Sequence, residues 1–250
     1  IIEADRASQS KMRVWNLGFA VLWNVLILGI FKYVSGISQT FHTMLPSLIP
    51  VVKIALPIGI SFYTFQTMGY IIDVYRGKQS VEKNFFKLAL FVSFFPQLVQ
   101  GPISRFHDLS ETLFSKHYFE SNVVVSGLMR ILWGYFKKVV IADRIITGVT
   151  TLIHSPSEYQ GAYVFIAMLF YASELYCDFT GGIDITIGIA EVMGIRVTEN
   201  FNLPYFSKNI KEYWNRWHIT MGTWFTDYIF YPISVCKPML NLSKFSRKHF

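Results

Sequence analysis

Charge is scarce in this chain: Asp, Glu, Lys and Arg make up 16% of its 250 residues, against about 25% in ordinary soluble domains. That shortage excludes disordered, acidic-tail and collagen-like classes, which depend on solvated charge or repeated glycine. Cysteine is nearly absent. Cys177 and Cys236 are the two present, and they form neither a disulfide framework nor a zinc site, so they leave the redox compartment unspecified. Linkers rich in Ser, Gly or Pro are missing, as are internal repeats, so residues 1–250 read as a single unit. No HExxH, GxSxG, Walker A or GxGxxG motif occurs, which removes the main signals of hydrolase, zinc and nucleotide chemistry.

What the chain does have is long apolar runs. Val14 to Phe31 carries no charged side chain and is flanked by Arg6, Lys11 and Arg13 on one side and Lys32 on the other. This pattern predicts a spanning helix. A signal peptide has a shorter apolar core and a small-residue cleavage site, which Phe31-Lys32-Tyr33 does not offer. Ile54 to Ile72 is also free of charge and meets the roughly 20 residues that a spanning helix needs. Leu88 to Ser104 is shorter, and Pro96 and Pro102 interrupt it. That predicts a broken helix or re-entrant loop buried in protein, because irregular backbone cannot face lipid. Further helices are expected over Val123 to Ala142 and Gly161 to Ile195, the second hinged at Gly181-Gly182.

The net charge of +7 suits either nucleic acid or a membrane surface, and the placement of the cations decides between them. Arg6, Lys11 and Arg13 precede the first run, no cation lies between Tyr33 and Val52, and Arg76, Lys78, Lys83 and Lys87 follow the second. This alternation matches the positive-inside rule rather than a nucleic-acid stripe. Continuing it, Lys137, Lys138 and Arg144 are expected on the cytoplasmic side, and so are Arg196, Lys208, Lys211 and Arg216 if the tract from 161 to 195 crosses and returns.

None of the six histidines, at 42, 107, 117, 154, 218 and 249, has metal-ligand spacing to another. His42, His154 and His249 are expected as solvated loop side chains. His218 differs, because Trp214, Trp217, His218, Met221 and Phe225 recur at helical spacing and predict one aromatic face from Ser207 to Tyr228. Such an imidazole is either incidental to an interfacial aromatic belt or, kept neutral by an apolar setting, a general base. Glu174 and Asp178 share a helix face, with Asp184 pointing elsewhere. Carboxylates in an apolar tract need a role or a partner. Asp178 is expected either to cap the half-helix after Gly181-Gly182 or to pair with an arginine. Arg105 is read equally as a headgroup-snorkelling cation or a pocket residue. Cys177 is read as packing, and Cys236 as a weak acylation candidate.

LPIGISFYTFQTMGYIIDVYRG (Leu56 to Gly77), FFPQLVQGPISRFHDL (Phe94 to Leu109), YCDFTGGIDITIGIAEVMGI (Tyr176 to Ile195) and ENFNLPYFSKNIKEYWNRWHITMGTWFTDYIFYP (Glu199 to Pro232) together resemble the bacterial branch of the membrane-bound O-acyltransferase family, which carries out alginate O-acetylation and teichoic-acid D-alanyl transfer. The resemblance implies an all-α polytopic fold with broken helices around a central cavity. It implies acyl transfer from a cytoplasmic thioester donor, acyl-CoA or an acyl-carrier protein, to hydroxyls of an extracytoplasmic polymer or to an acyl-relay partner. His218 matches one of the family's two functional histidines, and the expected pocket around it comprises Trp214, Asn215, Arg216, Trp217, Asp227, Asp178 and Asp184. Thr180, Gly182, Ile183, Leu203 and Thr226 depart from the usual family residues. The second histidine, between Trp and Gly in a later helix, is not reached, and the chain begins at Ile1, so truncation at both ends and inactivity of this fragment alone are expected.

Acyl transfer from a thioester to an alcohol needs a base and an oxyanion donor but no metal or redox cofactor. The rival classes are a transporter, which calls for paired broken helices, and a non-catalytic assembly subunit that docks a partner through residues 207–228.

Overall fold

The computed structural model describes residues 2–44 and 50–249, with the side chains of residues 2–10 and 244–249 left undescribed. The expectations that rest on the Arg6 and His249 side chains therefore fall outside the described residues. All regular structure among the described residues is helical. Among the described residues, two helices are long and apolar enough to cross a membrane, within Lys11–Met44 and Ala162–Val192. The chain divides into two compact units.

The first unit comprises Ile1–Val99, Arg105–His107 and Thr223–Phe250. Helix α1 (Ile2–Met44) runs well past the expected apolar stretch, and His42 sits in its last turn rather than in a loop. Its apolar side chains, Trp15, Phe19 and Leu22 among them, are exposed, as suits a helix solvated by lipid rather than water. The second expected span is corrected. Helix α2 is only Ile60–Tyr75, because Pro57 and the left-handed Gly59 (φ 78°) keep residues 51–59 out of the helix. The freed amides of that segment find partners on α1: Val52 N–H donates to Ser38 Oγ at 3.1 Å and Ile54 N–H to Ser35 Oγ at 3.0 Å.

The interrupted third run is broken as expected. Helix α3 (Phe85–Val92) stops at Ser93, and a short 3-10 turn, Phe95–Gln97, follows. Gln97 is fully buried and accepts from Gln66 Nε2 at 2.9 Å, so the break is stitched to α2. At the other end of this unit, Trp224 donates its indole N–H to the Phe65 carbonyl at 3.1 Å. It packs at Gly69, where a Cβ would lie 3.3 Å from the indole nitrogen.

The second unit comprises Gln100–Ser104 and Asp108–Gly222. Helix α4 (Phe106–Leu113) belongs mostly to it. Residues 101–104 are irregular but buried, and their Ile103 N–H is satisfied by Thr220 Oγ1 at 3.0 Å. Helix α5 (Ser121–Tyr135), a π-helical segment (Phe136–Ala142) and α6 (Asp143–His154) form one uninterrupted helical run. His154 ends α6 and is not in a loop. This run packs antiparallel on α7 (Ala162–Val192), and the contact explains the glycines. A Cβ on Gly134 would come within 2.6 Å of the Gly181 carbonyl, and one on Gly127 within 2.8 Å of the Gly188 carbonyl. Glycines seven residues apart on each helix lie on one face, so the two backbones touch. The expected hinge at Gly181-Gly182 is thus overturned: α7 is continuous, and these glycines serve close approach rather than bending.

Continuity of α7 also removes the half-helix that Asp178 was expected to cap. The carboxylate pairs instead with Lys138. Lys137 is buried, 2.5 Å from Asp184 and 2.9 Å from Thr180 Oγ1. Arg130 binds the other oxygen of Asp184 at 3.0 Å and Glu199 through two 2.6 Å contacts. These cations neutralise the carboxylates of an apolar helix, which is why they sit where they do.

Candidate active site

The segment from Ser207 to Tyr228 is not one helix. Asn209 caps α8 (Ile210–Arg216), accepting from Glu212 N–H, and the chain then breaks at Trp217, which is extended, and at His218, which has a positive φ of 48°. Helix α9 (Ile219–Phe225) starts afresh. A left-handed non-glycine residue costs energy and persists where surrounding contacts enforce it. The single aromatic face expected from helical spacing is therefore overturned, because the corner turns His218 out of the row that contains Trp214.

Contacts from the preceding irregular segment hold the corner. Ile219 N–H donates to the Asn200 carbonyl at 2.9 Å, and Asn202 N–H donates to the Arg216 carbonyl at 2.9 Å. Asn200 is fully buried. Its side-chain oxygen accepts from Thr220 N–H at 3.0 Å and Thr220 Oγ1 at 2.9 Å, and lies 3.2 Å from His218 Nδ1. Phe179 of α7 meets the imidazole edge to face at 4.9 Å between centroids, and Phe201 lies 6.5 Å away at 28°. Burial among these rings pulls the His218 pKa below its ordinary 6.5, so the ring is neutral near pH 7. A neutral, half-buried imidazole with one nitrogen tied is equipped to take a proton from a hydroxyl.

The structure gathers some of the expected pocket residues and separates others. Trp217 is buried beside His218, stacked on Tyr213 at 5.6 Å and edge-on to Phe201 at 5.0 Å. Trp214 lies at the rim of this cluster, exposed, with its ring against Tyr213. Asn215 is exposed, and Arg216 pairs with Glu212 at 2.6 Å. Asp178 and Asp184 are engaged by the cations of the α5–α6 run. Asp227 belongs to the first unit, where it pairs with Arg105 and its carbonyl accepts from Arg76 at 2.9 Å. Both guanidiniums lie over the Tyr228 ring, at 5.4 and 5.6 Å, and Tyr228 donates its hydroxyl to Asp73 at 2.6 Å. Arg105 is therefore engaged by partners within that unit and is not a free headgroup cation. Among the described residues no three His, Cys, Asp or Glu side chains gather as a metal site would require.

Asn200 was missed by sequence reasoning. It falls within the quoted Glu199 to Pro232 stretch, but one amide in a loop carries no periodic or motif signal, and only the fold brings it to the imidazole.

The model of the MBOAT, membrane-bound O-acyltransferase family, matches residues 27–246, which include both spanning-length helices in large part and the whole His218 corner. The chain belongs to this family. Among curated relatives, a probable alginate O-acetylase AlgI of Azotobacter vinelandii is 37% identical over 227 residues, covering 89% of this chain and 45% of the relative. A peptidoglycan O-acetyltransferase of Helicobacter pylori is 32% identical over 247 residues, 88% of this chain and 47% of the relative. A teichoic acid D-alanyltransferase of Bacillus subtilis is 31% identical over 176 residues, 69% of this chain and 44% of the relative. The chain thus spans a little under half the length of these relatives. The resemblance drawn from the four motif stretches is borne out, and this family member is a membrane-associated helical protein similar to proteins named for acyl transfer.

Proposed function

We propose that the complete protein is a multi-pass membrane O-acyltransferase that moves an acetyl- or D-alanyl-type group onto hydroxyls of a cell-surface polysaccharide or teichoic acid. Its donor is a cytoplasmic thioester, acyl-CoA or an acyl-carrier protein, and its acceptor is an extracytoplasmic polymer or an acyl-relay partner. In this reading the full helical set encloses a central cavity that keeps water from competing for the acyl group.

His218 is the general base. Its Nε2 takes the hydroxyl proton as the acceptor oxygen bonds to the acyl carbon. Collapse of the tetrahedral intermediate breaks the carbon–sulfur bond, and the proton returns to the departing thiolate. Trp217, Phe179 and Phe201 keep the ring desolvated, while Asp178 and Asp184 act at a distance by holding the α5–α7 contact. The observation that carries the reading is the half-buried imidazole of His218 on a left-handed corner inside an aromatic cluster, together with the similarity to named acyltransferases.

The test is His218→Ala in the complete protein, assayed for transfer of labelled acyl groups to polymer. Loss of a general base lowers turnover by roughly 100-fold or more. Carbonate extraction run in parallel should leave the variant in the membrane fraction. Near-normal turnover by the inserted variant would reduce His218 to a packing residue.

A further inference from the structure

Asn200 is fully buried in an irregular segment, and its amide nitrogen has no partner among the described residues. Leaving a buried donor unpaired is destabilising, so a side chain kept there for packing alone would be better served by an apolar residue. What the amide offers is its oxygen. A backbone N–H can only donate, so the atom facing Thr220 N–H at 3.0 Å is the oxygen of Asn200, and that oxygen can only accept. His218 Nδ1, 3.2 Å from the same oxygen, therefore carries the proton, and Nε2 holds the lone pair.

The direction is reinforced one step further out. Thr220 Oγ1 accepts from Ile103 N–H at 3.0 Å and donates to Asn200 Oδ1 at 2.9 Å. The loop that carries Asn200 is anchored in turn, because Arg130 clamps the adjacent Glu199 with two 2.6 Å contacts while also holding Asp184 of α7.

We propose that Asn200 is the positioning residue of His218: its side-chain oxygen fixes the Nδ1–H tautomer and the ring orientation, and the Arg130–Glu199 clamp holds Asn200 in place. The proposal rests on His218 being the general base. The imidazole is packed by Phe179 from α7, by Phe201 and Asn200 from the preceding segment, and by its own corner, and its shift is caused by burial rather than by a charged group among the described residues. A charge introduced at position 200 would therefore register directly.

Two measurements test this. The first uses the unsubstituted complete protein in bilayers, labelled with ¹⁵N-histidine, with His218→Gln assigning the resonances. A protonated Nδ1 and a bare Nε2 are expected, and the opposite tautomer would overturn the proposal whatever the variants do. The second is the pH–rate profile of Asn200→Ala and Asn200→Asp. Asn200→Ala should lower kcat by about 10- to 100-fold, as loss of a hydrogen bond to a group that becomes charged predicts, with little change in KM. Asn200→Asp keeps an acceptor and adds a negative charge, so it should retain kcat above its limb while the acid limb moves up by about one pH unit. A merely structural role would depress both variants at every pH and leave the limb in place, which would overturn the proposal. If His218→Gln itself kept full turnover, the general-base reading would fail instead, with the tautomer measurement still standing on its own.

Discussion

The ammonium of Lys137 stands 2.5 Å from the Asp184 carboxylate, inside the contact between α7 and the helical run from Ser121 to His154. Both side chains are largely buried, at 9% and 15% exposure, so the pair replaces hydration that neither group can recover. Breaking such a pair from one side costs about 3–5 kcal/mol, mostly because the remaining charge is stranded. Asp184→Ala strands Lys137, and Lys137→Met leaves Asp184 with Arg130 still attached. We expect Asp184→Ala to be the more destabilising, with the double variant less damaged than the sum of the two. Thermal unfolding in detergent, run as a double-mutant cycle, checks both points.

The glycine contacts yield a steric prediction. Gly134→Ala places a Cβ 2.6 Å from the Gly181 carbonyl and 2.9 Å from the Ile185 nitrogen, so the helices must separate, at about 1–3 kcal/mol. Gly148→Ala meets nothing within 4 Å, and as a helical glycine it should gain up to about 1 kcal/mol. Opposite shifts in detergent melting temperature are the expected result. Equal shifts would mean that α5 and α7 do not pack through their glycines.

For pH, burial lowers the His218 pKa below 6.5. A base must be unprotonated, so kcat/KM should rise with pH along a limb centred below 6.5 and be level near pH 7. The same shift bears on stability, since the native state prefers the neutral ring. Stability is therefore full above pH 6.5 and lost as pH falls through the lowered native pKa. Relative to His218→Gln, the wild-type protein should lose stability over that acid range. A kcat/KM limb centred above 6.5 would contradict the burial of the imidazole.

In the first unit, Arg105 and Asp227 are a partly exposed pair, and such pairs contribute about 1 kcal/mol or less. Arg105 also covers the Tyr228 ring, so Arg105→Glu should destabilise beyond the loss of the pair. Adding Asp227→Arg should restore the charge component but not the ring contact. Partial recovery in a melting experiment is the expected outcome, and no recovery would mean that the pair itself contributes nothing.

Particular residues show how far the sequence could be followed. The run from Val14 to Phe31 lies wholly inside α1, and the break at Pro96 appears where proline and polar residues predict it. The Ile54 to Ile72 run was overextended because its charge-free composition outweighed Pro57 and Gly59, whose backbone demands start the helix later. Gly181-Gly182 was misjudged because glycine is compatible with both a hinge and a close contact, and the choice belongs to the opposing helix. The α7 partners of Lys137 and Lys138, Asp184 and Asp178, leave no trace in the sequence next to either lysine.

Apolar runs, prolines and the Arg216-Trp217-His218 stretch are properties of neighbouring residues, so helicity, membrane association and family could be read along the chain. The left-handed corner at His218, the Asn200 oxygen on its Nδ1, and the clamp of Arg130 on Glu199 and Asp184 join residues 18 to 69 positions apart. Their formation depends on which helices pack and at what depth. Local periodicity encodes a preference for helix, but the free energy that sets a tautomer or buries an ion pair arises from nonlocal contacts, and those exist only once the chain has folded.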